Sequence, residues 1–332
     1  MKTPLVSVIM PARNAAGFIA EAARSIFSQT EPDLELLVVD AASTDGTGET
    51  VRALGDSRLR LIRSDSPLIA GCARNLALAE ARGEFVAFLD ADDFAEPRRL
   101  ALQIAYLRRT PAVSIAGSRV AVMDEKGTPC GENFPPIPPE EIPATLLFQN
   151  CLALSSITAR KAALQPFHTD FPLAEDYDLW VRLAPNVGFA ILPQRLTRYR
   201  LHSESASIRR REEMAAAVVA IQSAQADRLG FREAPPIHAL LTAWPLDASA
   251  GQLAEAEAWL LALHAANERH GVYPRRPFQR VLSGRWFSVC MDSWLLGWPV
   301  WGVYHRSPLA APTFRRRAHL LRRLLPQRLR QR

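Results

Sequence analysis

With 332 residues, 48% of them apolar, the chain can bury one large core and a smaller satellite. Its formal charge of +6 is local, since residues 313–332 hold eight arginines and no acidic residue; +6 less those eight leaves −2 for the rest, and without an aromatic platform or known motif the charge does not make a nucleic-acid surface. Cys72, Cys130, Cys151 and Cys290 lie far apart, in neither metal-ligand nor redox spacing, and no secretory segment precedes the first apolar run, so the expectation is a reducing cytosol.

In chain order, residues 5–10 read as a strand, Pro11-Ala12-Arg13-Asn14 as a turn, and residues 15–29 as a helix with Ile19, Ala22, Ala23, Ile26 and Phe27 on one side. A second strand, residues 34–39, ends at Asp40, and a helix capped by Ser43 or Thr44 runs to about Leu54. A third strand, residues 59–62, precedes Gly71-Cys72-Ala73-Arg74-Asn75 and a helix through Ala81. Residues 84–89 form a buried strand that ends in Asp90-Ala91-Asp92-Asp93. This alternation predicts a parallel sheet with helices on both faces.

Three carboxylates at a strand end repel one another unless a cation, donors or solvent lie nearby. In a doubly wound sheet that position faces the ligand crevice, where Mg2+ or Mn2+ commonly joins carboxylates to substrate phosphates. The alternative is a solvated turn in which Asp92 or Asp93 caps the next helix. Farther on, a Pro-rich loop (residues 133–143) leads to a helix over 144–150 and a strand over 155–158. Apolar residues at 179, 180 and 183 predict a helix whose N-terminus holds Glu175 and Asp176, where the helix dipole favours a carboxylate.

Four blocks, Pro11-Ala12-Arg13-Asn14, the Asp40 to Thr47 segment, Gly71 to Asn75 and Phe88 to Asp93, resemble in content and order the family 2 glycosyltransferases, over roughly residues 4–207. The resemblance implies the GT-A fold and inverting transfer of a sugar from a nucleotide donor. It implies that Asp40 reads the base or ribose, that Pro11 and Ala12 shape a loop against the nucleoside, and that Asn14 tethers that loop. Arg74 would support the diphosphate, with Asp90, Ala91 and Asp92 as the donor-side Asp-x-Asp element. Mn2+ or Mg2+ would sit on Asp92 and Asp90 with His202, which belongs to a segment resembling the family's Tyr-Arg-x-His. Asp176 would be the catalytic base, with Asp93, Glu175 and Asn150 as acceptor-side or auxiliary residues. One departure is Ala41, where the family usually has a second Asp. Residues 194–199 resemble the processive Gln-x-x-Arg-Trp signature, but with an extra residue and Tyr199 for Trp, so transfer of a single sugar is expected.

Beyond His202, residues 211–229 and 253–269 read as helices closed by Gly230 and Gly271. Residues 287–304 are rich in Trp and Leu but interrupted by Asp292, Gly297 and Pro299, which predicts a buried hairpin or interfacial patch, not a membrane span. In the tail, Phe314, Ala318, Leu321 and Leu325 share a stripe, with Arg315, Arg316, Arg322 and Arg323 mostly elsewhere. Two readings stand: a helix lying on an anionic bilayer, or a terminal helix docked by its leucines.

The expected organisation is a GT-A α/β catalytic domain (1–207), a helical extension (208–312) and a basic tail (313–332). The expected activity is metal-dependent, inverting transfer from a UDP-linked sugar to a hydroxyl of a glycan or lipid-linked acceptor, as in bacterial surface polysaccharide assembly, at the inner face of the cell membrane. The rivals are a nucleotidyltransferase, for which residues 11–18 hold one Gly and no Lys, and a non-catalytic membrane-surface scaffold of the same fold.

Overall fold

The apolar run that opens the chain becomes β1 (Val6–Ala12), with β2 (Leu34–Ala41) on one side and β4 (Phe85–Phe88) on the other, all parallel. The computed structural model describes residues 3–133, 136–202, 210–241, 249–310 and 320. Val8, Ile9, Met10, Leu36, Leu37, Val38 and Val39 are all fully buried, as expected of strands covered on both faces. The chain walks outward from β1 through β2 to β3 (Leu59–Ser64) and then returns to β4 on the opposite side of β1. That reversal opens a crevice at the carboxyl ends of β1, β2 and β4.

The sheet continues as β8 (Thr158–Arg160), β6 (Val113–Met123), β9 (Gly188–Arg200) and β5 (Phe94–Ala95), with β7 (Pro129–Asn133) paired to β6. β8 runs antiparallel to both neighbours, whereas β6 and β9 are parallel, so the sheet is mixed but wholly parallel across β3, β2, β1 and β4. Helices α1 (Ile19–Phe27), α2 (Thr47–Ala53), α3 (Ala70–Glu80) and α4 (Arg99–Arg109) link these strands. Ile19, Ala22, Ala23 and Ile26 of α1 pack into the same core as Val8, Met10, Leu36 and Val38.

Four local readings are corrected. Ser43 and Thr44 do not cap α2: its N-cap is Gly46, at φ 89, while Ser43 Oγ accepts from Asn14 N and Thr44 N donates to Asn14 Oδ1. Asp92 and Asp93 cap no helix either, because α4 begins after Arg98. The helix expected over 144–150 is only α5 (Ile142–Thr145), and the strand expected over 155–158 becomes a 3₁₀ turn, Leu154–Ser156, ahead of β8. The helix stops early because the carbonyls of Leu146, Leu147 and Phe148 accept from Gln225, His238 and Gln222, which removes the need for intrahelical partners.

The chain forms two compact units: Met1–Ile142 with Asn150–Val218, and Pro143–Gln149 with Val219–Arg332. The second unit is helical. It contains Pro236–Leu240, Ala250–His270, Arg275–Asp292 and Trp298–Arg306, together with residues 219–228 of the helix Arg211–Arg228. Ser249 and Gln252 form a capping box, and Gly271 closes that helix in the left-handed conformation (φ 64). Trp259, Leu260, Leu263, Phe278, Leu282, Trp286 and Tyr304 make its core. No helix of the described residues is long and apolar enough to cross a membrane. The 207/208 boundary and all of the basic tail except Leu320 lie outside the described residues.

Candidate active site

At the end of β2, Asp40 is completely buried. Its Oδ1 accepts from Ser43 N (3.0 Å), while Oδ2 has no hydrogen-bond partner among the described residues and lies 3.9 Å from Arg63 Nε. A Cβ at residue 48 would sit 2.8 Å from that oxygen, so Gly48 keeps the space beside it open. An unsatisfied buried acceptor costs about 1–3 kcal/mol, which a ligand N–H or O–H would recover. Ala12 faces Asp40 in the β1–β2 register and Pro11 faces Val39. Asn14, at φ 51, bonds to both Ser43 and Thr44 and so ties the first loop to the second.

At the end of β4 the Asp-rich turn is held from several sides. Asp90 N donates to Ser155 Oγ (3.0 Å) and Asp93 N to Asp90 O (3.1 Å). Asp92 Oδ2 lies 2.8 Å from His202 Nε2, whose ring stacks obliquely on Phe18. Asp93 points elsewhere: it is 1% exposed, and its Oδ1 accepts from Arg200 N (2.9 Å). It therefore anchors the end of β9, a supporting place behind the turn that fits the auxiliary half of the reading given to it. Arg200 completes the anchor, donating to Asp92 O (2.8 Å), Glu125 O (2.9 Å) and Glu21 Oε2 (2.7 Å).

Burial and the neighbouring Asp90 push the Asp92 carboxyl above the usual carboxylate range, against the pull of His202. Burial, Asp92 and Asp90 push Asp93 up much further. A divalent cation would relieve this crowding; the carboxylates suit Mn2+ or Mg2+, and the imidazole of His202 is better matched to Mn2+ than to the harder Mg2+. Asp92 and His202 thus fit such an ion as a pair. Among the described residues no three His, Cys, Asp or Glu are grouped as a metal site, so the protein would leave most positions to phosphate and water.

Arg74, at the start of α3, joins this turn to the second carboxylate pair. Its Nη2 donates to Asp90 Oδ1 (2.7 Å) and its Nη1 to Glu175 Oε1 (2.5 Å). At 5% exposure, with both terminal nitrogens engaged by carboxylates, Arg74 holds Asp90 and Glu175 beside one another. The contact also engages Asp90, which leaves Asp92 and His202 as the closer metal pair.

Glu175 opens α6 (Glu175–Leu183), behind Leu173 in the left-handed region (φ 78). Next to it, Asp176 Oδ2 accepts from Asn150 Nδ2 (2.9 Å) and Oδ1 from Tyr177 N (2.7 Å). Burial and the Glu175 charge raise the Asp176 pKa to about 7, with Arg74 and Asn150 opposing them. A half-buried carboxylate poised there can take a proton near neutrality. Three further supports carry no role in the sequence reading: Ser155, Arg200, and Asn75, whose amide makes two 2.8 Å bonds to the Phe167 backbone. Only Asn75 and Arg200 had a signal, as members of the recognised blocks.

The model of glycosyl transferase family 2 matches residues 7–149. The chain is 32% identical over 218 residues to the UDP-Glc:alpha-D-GlcNAc-diphosphoundecaprenol beta-1,3-glucosyltransferase WfgD of Escherichia coli, covering 63% of this chain and 82% of that one. Another Escherichia coli protein with the same activity in its name, WfaP, is 30% identical over 212 residues, with the same coverage of 63% and 82%. Among solved structures, the mannosyltransferase PcManGT of Pyrobaculum calidifontis, in complex with GDP-Man and Mn2+, superposes with a TM-score of 0.55 at 24% identity, covering 88% of each chain. S. aureus TarS 1-349 with UDP-GlcNAc gives 0.54 at 19% identity, covering 96% of this chain and 89% of that one. These two structures show the shared fold.

Proposed function

Because this chain belongs to glycosyltransferase family 2 and is a glycosyltransferase of GT-A fold, we propose that it moves one hexose, with inversion, from a UDP-linked donor to a hydroxyl of a glycan or lipid-linked acceptor. The observation that carries this reading is the Arg74 bridge. It joins Asp90 of the Asp-rich turn to Glu175 of the base pair, so groups 85 positions apart in the chain serve one site. UDP and a lipid-linked acceptor are favoured by the named activity of the relative WfgD. Nucleotide-sugar transfer in polysaccharide synthesis is the general setting.

Asp40 Oδ2 would accept from the base or a ribose hydroxyl, with the backbone of Pro11 and Ala12 beside it and Asn14 fixing the loop. Asp176 takes the proton of the acceptor hydroxyl as that oxygen attacks the anomeric carbon from the face opposite the nucleotide. The bond from that carbon to the diphosphate oxygen breaks, and UDP leaves with the electron pair. The charge of Glu175, which Arg74 engages, raises the basicity of Asp176, while Asn150 and the Tyr177 N–H hold its carboxylate in place. Mn2+ or Mg2+, held by Asp92 and His202 with Asp90 alongside, would offset the charge of the departing diphosphate. The enzyme would work at the cytoplasmic face of the membrane as a peripheral protein.

Donor turnover with and without chelator tests the metal assignment. Asp92→Asn is expected to lower turnover by at least about 100-fold, roughly 2.7 kcal/mol of transition-state stabilisation, with the fold intact by circular dichroism. Full activity in excess chelator, or in the variant, would remove Asp92 from that role.

A further inference from the structure

The two last described helices of the second unit meet at a corner with an unusual surface. Arg275–Asp292 ends in a 3₁₀ turn, Ser293–Leu296, and Gly297 at φ 75 redirects the chain into Trp298–Arg306. The base of the corner is fixed. Ser293 is buried and donates from its Oγ to Val289 O (2.8 Å), while Val300 and Tyr304 lie in the core. Its tip is not covered: Leu295 is 70% exposed, Trp298 54% and Leu296 37%. Leu295 and Trp298 are the most exposed large apolar side chains among the described residues, and they stand within four positions of one another.

We propose that this corner is an interfacial membrane anchor, inserting Leu295, Leu296 and Trp298 into the headgroup–acyl boundary of an anionic bilayer. The inference deepens the peripheral-membrane reading above and rests on it for the presence of a bilayer. The chemistry of the segment selects that partner. From Ser293 to Tyr304, twelve residues carry no Asp, Glu, Lys or Arg, so nothing charged must be dehydrated when the tip enters a headgroup layer. An indole placed at such a boundary keeps its ring in apolar surroundings and its N–H near water. After Asp292 the chain has no further acidic residue but nine arginines, which complement anionic lipid. The same excess of one sign disfavours a second copy of this chain as the occupant, because pairing two corners would bring two cationic segments together. The helices here are too short and too polar to span, so the contact is a shallow insertion.

Insertion and electrostatic adsorption differ in their response to salt, since only the second weakens as the Debye length contracts. The full-length protein is mixed with phosphatidylcholine vesicles containing phosphatidylglycerol, some carrying brominated acyl chains, and is compared with Leu295→Ser/Leu296→Ser/Trp298→Ser. The wild type is expected to show tryptophan quenching by the bromines and binding that persists in part at high salt. The triple variant is expected to lose at least about tenfold in vesicle affinity, together with the salt-resistant part and the quenching. Its melting temperature and its transfer to a soluble acceptor should be unchanged, since the three side chains are exposed and lie outside the proposed catalytic residues. Equal affinity, quenching and salt resistance in the two proteins would overturn the anchor while leaving peripheral binding in place. A wild type that binds no vesicles would overturn both. Self-association without lipid, lost in the triple variant, would assign the corner to a second copy and also overturn the proposal.

Discussion

Asp176 shows how a single carboxylate is tuned by its setting. Burial and Glu175 raise it to about 7, and the hydrogen bond from Asn150 and the charge of Arg74 limit that rise. A base must be ionised to act, so turnover should climb with pH through about 7 and then level off. The Asn150 bond stabilises the charged form; Asn150→Leu should therefore raise the pKa and move the acid limb of the kcat profile to higher pH. An unmoved limb would mean that another group titrates. The places of Asp176 at a helix start and of the Asp-x-Asp element at a strand end were legible, the first from the apolar spacing at 179, 180 and 183 and the second from the apolar run before Asp90. The Arg74 bridge was not, since its partner Glu175 is 101 positions away, and neither was the inward turn of Asp93, because sequence does not say which of adjacent carboxylates a strand end buries.

At the scale of elements, the opposite edge of the sheet holds the charge cluster on which strand register depends. Glu35 of β2 lies beside Ser7 of β1 and accepts from Ser7 Oγ (2.7 Å), Arg82 N (2.9 Å), Arg82 Nη2 (2.6 Å) and Arg60 Nη1 (3.1 Å). Burial alone would raise its pKa, but these donors, Arg82 foremost, hold it at about 2. A carboxylate lowered on folding stabilises the fold above its unfolded pKa and loses that contribution as pH falls from about 4.5 toward 2. Glu35→Ala should cost about 3 kcal/mol in urea unfolding at neutral pH, by leaving buried donors unpaired, and should flatten the stability loss between pH 5 and 3. A variant within about 0.5 kcal/mol of wild type would show the cluster to be dispensable. The strands themselves were readable from apolar runs. The helix expected over 144–150 failed for a reason no local pattern carries: its carbonyls are claimed by Gln222, Gln225 and His238, more than 70 positions on. His238 is held neutral there, with Nδ1 accepting from Trp259 Nε1–H and Nε2–H donating to Leu147 O; burial lowers its pKa to about 4.

For the whole molecule, four weak blocks in a fixed order identified the family, because each marks a different carboxyl-edge loop of one sheet. The helical unit offered no comparable signal, and its caps were legible only through the left-handed Gly230 and Gly271. The charge distribution makes a separate prediction. Removing residues 313–332 deletes eight arginines, and should abolish the salt-sensitive part of binding to anionic vesicles while the catalytic fold keeps its circular dichroism spectrum; unchanged salt-sensitive binding by the truncated protein would return the tail to a packing role. The central claim, one site in which Asp176 acts on the acceptor and the Asp-rich turn holds the donor, is tested most directly by measuring UDP affinity and turnover together in Asp176→Asn. The account predicts a turnover loss of at least about 100-fold with donor affinity within about twofold of wild type. Loss of donor affinity with turnover preserved at saturating donor would contradict it.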